Sequence, residues 1–121
     1  MAANTTNALA KAARVLLMGF DVDGVLTDGT LYFSAQGDEM KAFSSLDGHG
    51  LKMLQRAGIE VAIISGRSSR ALELRAANLG IDELHMGVED KRALLARLAR
   101  QRGIELAQTG YMGDDVVDLP V

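Results

Sequence analysis

Apolar residues in this chain fall into short unbroken runs that alternate with longer stretches of helical spacing. The first run, "RVLLMGF" at 14–20, has no helical period and stops at an acidic turn. That is the pattern of a strand buried on both faces of a sheet. Two strand-like segments follow, "TLYFS" and "EMKAFS", joined by "AQGD", a connection of hairpin length in which Gly37 is available for a positive φ. Three of the five aromatic residues, Tyr32, Phe33 and Phe43, sit in this hairpin. The hairpin is therefore expected to pack on something substantial.

Helical spacing begins after "LDGHG", which reads as a glycine-rich loop. Residues 50–57 predict a helix stopped by Gly58, and "EVAII" at 60–64 a second core strand. The alternation then becomes regular: a helix over 68–79 ending at Gly80, a strand at 83–86, a helix over 89–102 ending at Gly103, and a last strand in which "QTGYMG" runs into "DD". Leu and Ala recur at helical spacing in both later helices and read as core. Such alternation implies parallel strands joined by right-handed crossovers. The expected fold is α/β: one domain over 1–121 with a Rossmann-like parallel sheet flanked by helices, and a β-hairpin at 30–44 inserted after the first strand.

In sheets of this kind ligands bind beyond the carboxyl ends of the strands. Asp21 and Asp23 follow the first strand, Ser65, Gly66 and Arg67 the second, and Asp114 and Asp115 the last, while Lys91 opens the helix after the third. Clustered carboxylates repel one another and resist burial, so a cation, a proton or a reaction has to hold them together. Hard oxygen donors with no histidine or cysteine among them suit magnesium, and magnesium suits phosphate. Ser65 and the amides of Gly66 and Arg67 are expected to open a helix and so to favour an anion, and Lys91 adds a point charge. A carboxylate beside bound phosphate can attack phosphorus. A second acid two residues on can protonate the leaving oxygen and then activate water. Asp28, the third aspartate of the first cluster, and Asp118 read equally well as turn or capping residues.

The chain has 121 residues, 48% of them hydrophobic, and a formal charge of -3. That balance argues against a general grip on nucleic acid or anionic lipid. Without cysteine there is no thiol nucleophile, zinc thiolate or disulfide. The apolar runs are too short to span a bilayer. "MAANTTNALAKAAR" lacks the apolar core of a signal peptide and reads as a short helix capped near Thr5 or Thr6. A cytoplasmic protein is expected.

"DVDGVLTDG", "IISGR", the lysine of "VEDK" and "GDDVVDLP", in this order and at these separations, resemble the four motifs of the haloacid dehalogenase-like superfamily. With "LYFSAQGDEMKAF" and "LDGHG", the chain is most similar to the small capless branch that acts on 3-deoxy-D-manno-octulosonate 8-phosphate. The resemblance implies that Asp21 is the phosphorylated nucleophile and Asp23 the general acid/base. It further implies that magnesium is held by the Asp21 carboxylate, the Asp23 main-chain carbonyl and the Asp114 carboxylate, with Asp115 and Asp118 in support. Ser65, Gly66 and Lys91 correspond to the phosphate binders. Ser44, Ser45, Leu46, Asp47, Gly48, Lys52, Arg67 and Arg75 are placed near a sugar-acid substrate or a subunit interface. The same resemblance implies a homotetramer assembled through the hairpins. The family continues after the fourth motif with a further strand and helix that this chain is expected to lack. A phosphatase for a related nine-carbon sugar acid, a phospho-accepting receiver domain and a non-catalytic assembly module are the competing readings. A receiver places its acidic pair and its nucleophile in a different order along the sheet.

Overall fold

The computed structural model describes residues 9, 10 and 12–113. Its strands are β1 (Leu17–Phe20), β2 (Tyr32–Phe33), β3 (Glu39–Met40), β4 (Glu60–Ile64), β5 (Glu83–His85) and β6 (Thr109–Met112). Its helices are α1 (Ser45–Arg56), α2 (Arg70–Asn78) and α3 (Lys91–Gln101), with a 3-10 turn at Leu106–Gln108. Four strands form one parallel sheet in the order β5-β4-β1-β6, so β1 is central and β6 lies at an edge among the described residues. The expected α/β sheet with its inserted hairpin is the observed one.

Alternation along the strands divides the core in two. Phe20, Val61 and Ile63 join Val22, Leu51, Leu72, Ala76, Leu79 and Ile81 on one side, the side of α1 and α2. Leu17, Ala62 and Ile64 join Leu94, Leu95 and Leu98 of α3 on the other. Ile63, Ile64, Leu95 and Leu98 are at most 2% exposed, and each such side chain contributes about 1.5–3 kcal/mol of burial. A β-carbon at Gly19 would stand 3.0 Å from the Tyr111 ring, so glycine at the centre of β1 makes room for the β6 tyrosine.

The helices begin where their caps are, which shifts three expected boundaries. Ser69 Oγ accepts the Leu72 amide at 3.3 Å and Asp90 Oδ1 the Ala93 amide at 2.9 Å, so α2 and α3 start at Arg70 and Lys91 rather than at 68 and 89. The larger correction is "LDGHG", which is helix and not loop. Ser44 Oγ accepts the Asp47 amide at 3.4 Å, and Asp47 complements the helix dipole in the first turn. The cap outweighs two glycines whose low helix propensity suggested a loop. Gly48 has a packing reason: a β-carbon there would collide with the Arg75 guanidinium and crowd Leu79.

The hairpin is real but shorter than expected, with two paired residues on each strand. Its turn is closed by Gly37 at φ +88° and by Ser34, whose oxygens accept the Gly37 and Asp38 amides. Phe43 parts company with the other two aromatics and packs against the core beside Leu51. Tyr32 and Phe33 stay 43% and 60% exposed. The expected N-terminal cap at Thr5 or Thr6 lies outside the described residues. No helix among the described residues is long and apolar enough to cross a membrane.

Candidate active site

β1 delivers Asp21 to the carboxyl-end rim. The Asp21 amide donates to the Met112 carbonyl at 2.9 Å, extending the β1–β6 ladder by one step. Its carboxylate is only 9% exposed and lies 3.2 Å from the Lys91 ammonium, itself 4% exposed. Lysine and aspartate are rarely this buried unless paired, and α3 supplies the lysine because Asp90 caps the helix one residue earlier. The first carboxylate thus carries its own counter-charge.

Asp23 carries another. Its Oδ1 accepts from Lys41 Nζ at 2.6 Å, and its Oδ2 stands 4.0 Å from Arg67 Nε. Lys41 also meets Glu39 at 3.2 Å, and Glu39 Oε1 accepts from Arg67 Nη2 at the same distance. The hairpin is in this way tied to the loops after β1 and β4. Sequence reasoning passed over Lys41 and Glu39, assigning the hairpin to assembly alone. The available signal was their i, i+2 spacing at the end of a strand-like segment, where extended backbone puts two opposite charges on one side. Asp28 is different again. The Thr30 amide donates to its Oδ1 at 2.9 Å, and the Thr30 backbone and hydroxyl hold its carboxyl below the usual carboxylate range. It is an exposed turn residue.

Ser65 directly follows β4 and is 3% exposed. Its amide donates to the His85 carbonyl at 2.8 Å and its carbonyl accepts from the Val88 amide at 3.0 Å, so β5 and the loop after it fix it from both sides. Its Oγ accepts the Arg67 amide at 3.2 Å, which leaves the hydroxyl proton to donate. Gly66 and Arg67 do not open a helix as expected. They form the turn before Ser69, which caps α2 three and two residues further on, so no helix terminus stands behind their amides.

Ser44, Asp47, Gly48 and Arg75 come together at the contact of α1 with α2, where they line a cleft with Phe43 and Leu72. Ser45, Leu46 and Lys52 are exposed on α1. Asp114, Asp115 and Asp118 lie outside the described residues. The register nevertheless runs β6 alongside β1 to the pairing of Met112 with Phe20, two residues before Asp114. Among the described residues no three possible ligands cluster. What is present at the rim is the buried Asp21 carboxylate, a hard oxygen donor of the kind magnesium accepts.

No family model matches the chain. Known proteins do. Over 100 residues it is 49% identical to the 3-deoxy-D-manno-octulosonate 8-phosphate phosphatase KdsC of Haemophilus influenzae, covering 83% of this chain and 56% of that protein. The same enzyme of Yersinia pestis is 43% identical over 92% of this chain and 59% of its own length. A Moraxella catarrhalis 3-deoxy-D-manno-octulosonate 8-phosphate phosphatase, solved with magnesium, phosphate and a KDO molecule, superposes with a TM-score of 0.89 at 44% identity, over 92% of this chain and 64% of that one. A haloacid dehalogenase superfamily (subfamily III A) hydrolase from Legionella pneumophila reaches 0.92 at 40% identity, over 96% and 64%. The chain spans about three fifths of the length of these relatives. Over that part it has the fold of the haloacid dehalogenase-like superfamily and resembles its 3-deoxy-D-manno-octulosonate 8-phosphate phosphatases.

Proposed function

We propose that this chain carries the catalytic part of a magnesium-dependent phosphatase that hydrolyses 3-deoxy-D-manno-octulosonate 8-phosphate. The observation that carries the reading is the Asp21 carboxylate, buried at the rim and balanced by Lys91 at 3.2 Å, in a chain that resembles enzymes of that activity. Asp21 attacks phosphorus as the bond to the sugar oxygen breaks, giving an aspartyl phosphate. Asp23 delivers a proton to the departing oxygen. It then takes one from the water that displaces phosphate from Asp21. Ser65 and Lys91 neutralise and orient the phosphate oxygens, with the Gly66 amide beside them. The Asp21 carboxylate, the Asp23 carbonyl and Asp114 would hold magnesium, which supplies charge screening between the phosphate and the attacking carboxylate. Asp115 and Asp118 support that set, and Arg67, Arg75, Lys52 and the start of α1 face the sugar acid or a neighbouring subunit.

Phosphate release from a panel of sugar phosphates tests the reading. The eight-carbon sugar-acid phosphate is expected to be the preferred substrate, with release lost in a chelator and suppressed by calcium, whose larger coordination shell disturbs attack geometry. Preference for a nine-carbon sugar acid would move the substrate. No release from any member would favour the non-catalytic module.

We further propose a homotetramer built on the hairpin. Leu31, Tyr32, Phe33 and Met40 are 39–60% exposed in the single chain, more apolar surface than a two-stranded ribbon shelters alone. Replacing Tyr32 and Phe33 with serine is expected to give smaller species in sedimentation. An unchanged mass would place the interface elsewhere.

A further inference from the structure

We propose that Lys41 is a positioning residue that orients the carboxylate of Asp23 for proton transfer. The inference rests on the reading of Asp23 as the acid. Four side chains form a closed ring of alternating charge: Asp23, Lys41, Glu39 and Arg67. Lys41 is its buried member, with a side chain 2% exposed, whereas Arg67 is 47% exposed. An ammonium is a compact charge with three donors, and here two of its directions are taken by Asp23 at 2.6 Å and Glu39 at 3.2 Å.

The two oxygens of Asp23 are therefore not equivalent. Oδ1 is fixed by a short charge-assisted bond to Lys41. Oδ2 meets Arg67 only at 4.0 Å, beyond hydrogen bonding, and is the oxygen left to face the substrate's leaving group. Because Lys41 stands on the chain just after β3, this orientation depends on the hairpin being folded back onto the rim. Glu39 anchors that fold through Arg67 at 3.2 Å, which makes the hairpin part of the catalytic arrangement as well as an assembly element.

The test compares leaving groups in the first turnover, using the sugar-acid phosphate and p-nitrophenyl phosphate with Lys41→Met and Lys41→Arg proteins. A misdirected acid slows expulsion of an alkoxide but matters little for nitrophenolate. Lys41→Met is expected to slow first-turnover release of the sugar about a hundredfold, the scale of general acid catalysis, and that of nitrophenolate only a few-fold. Lys41→Arg is expected to recover much of the sugar rate. Equal losses on both substrates, or an unchanged sugar rate, would overturn the proposal. A second readout does not need the variant to fold. In labelled parent protein the Lys41 ammonium is expected to show slowly exchanging 15Nζ protons coupled across the hydrogen bond to the Asp23 carboxyl carbon, a signal lost in Asp23→Ala, which has no acceptor there. Absence of that coupling in the parent overturns the proposal. If the parent hydrolyses neither substrate, the phosphatase reading fails, and the NMR coupling alone decides whether Lys41 fixes Asp23.

Discussion

Asp21→Asn protein forms no phosphoenzyme and loses more than about a thousandfold in turnover, because an amide cannot attack phosphorus and the covalent route has no substitute. The substitution is isosteric. It keeps the backbone bond from residue 21 to the Met112 carbonyl, and an asparagine oxygen still accepts from Lys91. Because the amide oxygen still satisfies the Lys91 ammonium, stability is expected to fall by only about 1.5–3 kcal/mol, the scale of a hydrogen bond to a charged group. Loss of activity with a retained cooperative melt is the expected combination, read by rapid quench with labelled substrate and by thermal denaturation. Residual turnover above a tenth of the parent rate would take the nucleophile's role from Asp21.

Lys91→Met shows the opposite balance, a large cost in stability together with one in phosphate handling. Lys91 and Asp21 are 4% and 9% exposed and 3.2 Å apart. Removing one member of a buried pair costs about 3–5 kcal/mol, since the remaining charge keeps its desolvation penalty. In a domain of this size that is a fall of roughly 10–20 °C in melting temperature. Catalytic efficiency is expected to drop by about two to three orders of magnitude, as for other buried charges aimed at a transition state. A melting temperature within about 2 °C of the parent's, a change of less than about 1 kcal/mol, would mean that Lys91 is not held as described. The sign is informative: a lysine that merely solvated the start of α3 would cost nothing when replaced by an apolar residue.

The parts of the fold that could be read in the sequence are those governed by local pattern. "EVAII" is a continuous apolar run between two polar turns and is β4 residue for residue. Gly58 and Gly80, at φ +86° and +68°, sit just beyond the ends of α1 and α2 as helix-stopping glycines should. Where the reading failed, a weak local preference was outweighed by packing. Gly48 and Gly50 argued for a loop, yet Ser44 caps a helix through them and Gly48 makes room for Arg75. The rim itself followed from the rule that ligands gather beyond strand ends. Asp21 and Ser65 are buried directly after such ends, and Lys91 is buried at the start of the helix that follows β5. The i, i+2 spacing of Glu39 and Lys41 pairs those two with each other, but the role of Lys41 was not legible, because its other partner, Asp23, is 18 residues away across a turn. Asp114, Asp115 and Asp118 rest on the resemblance of their motif and lie outside the described residues, the β1–β6 register reaching only as far as Met112.

The site at which phosphate becomes attached tests the covalent mechanism most directly. Asp23→Ala protein, slowed in the second step for want of a base, is mixed with labelled substrate, quenched within the first turnover and reduced with borohydride, which converts an aspartyl phosphate to homoserine. Peptide mapping is predicted to find the reduced residue at position 21. Label on Ser65, or turnover with no reduced aspartate at all, would contradict the account.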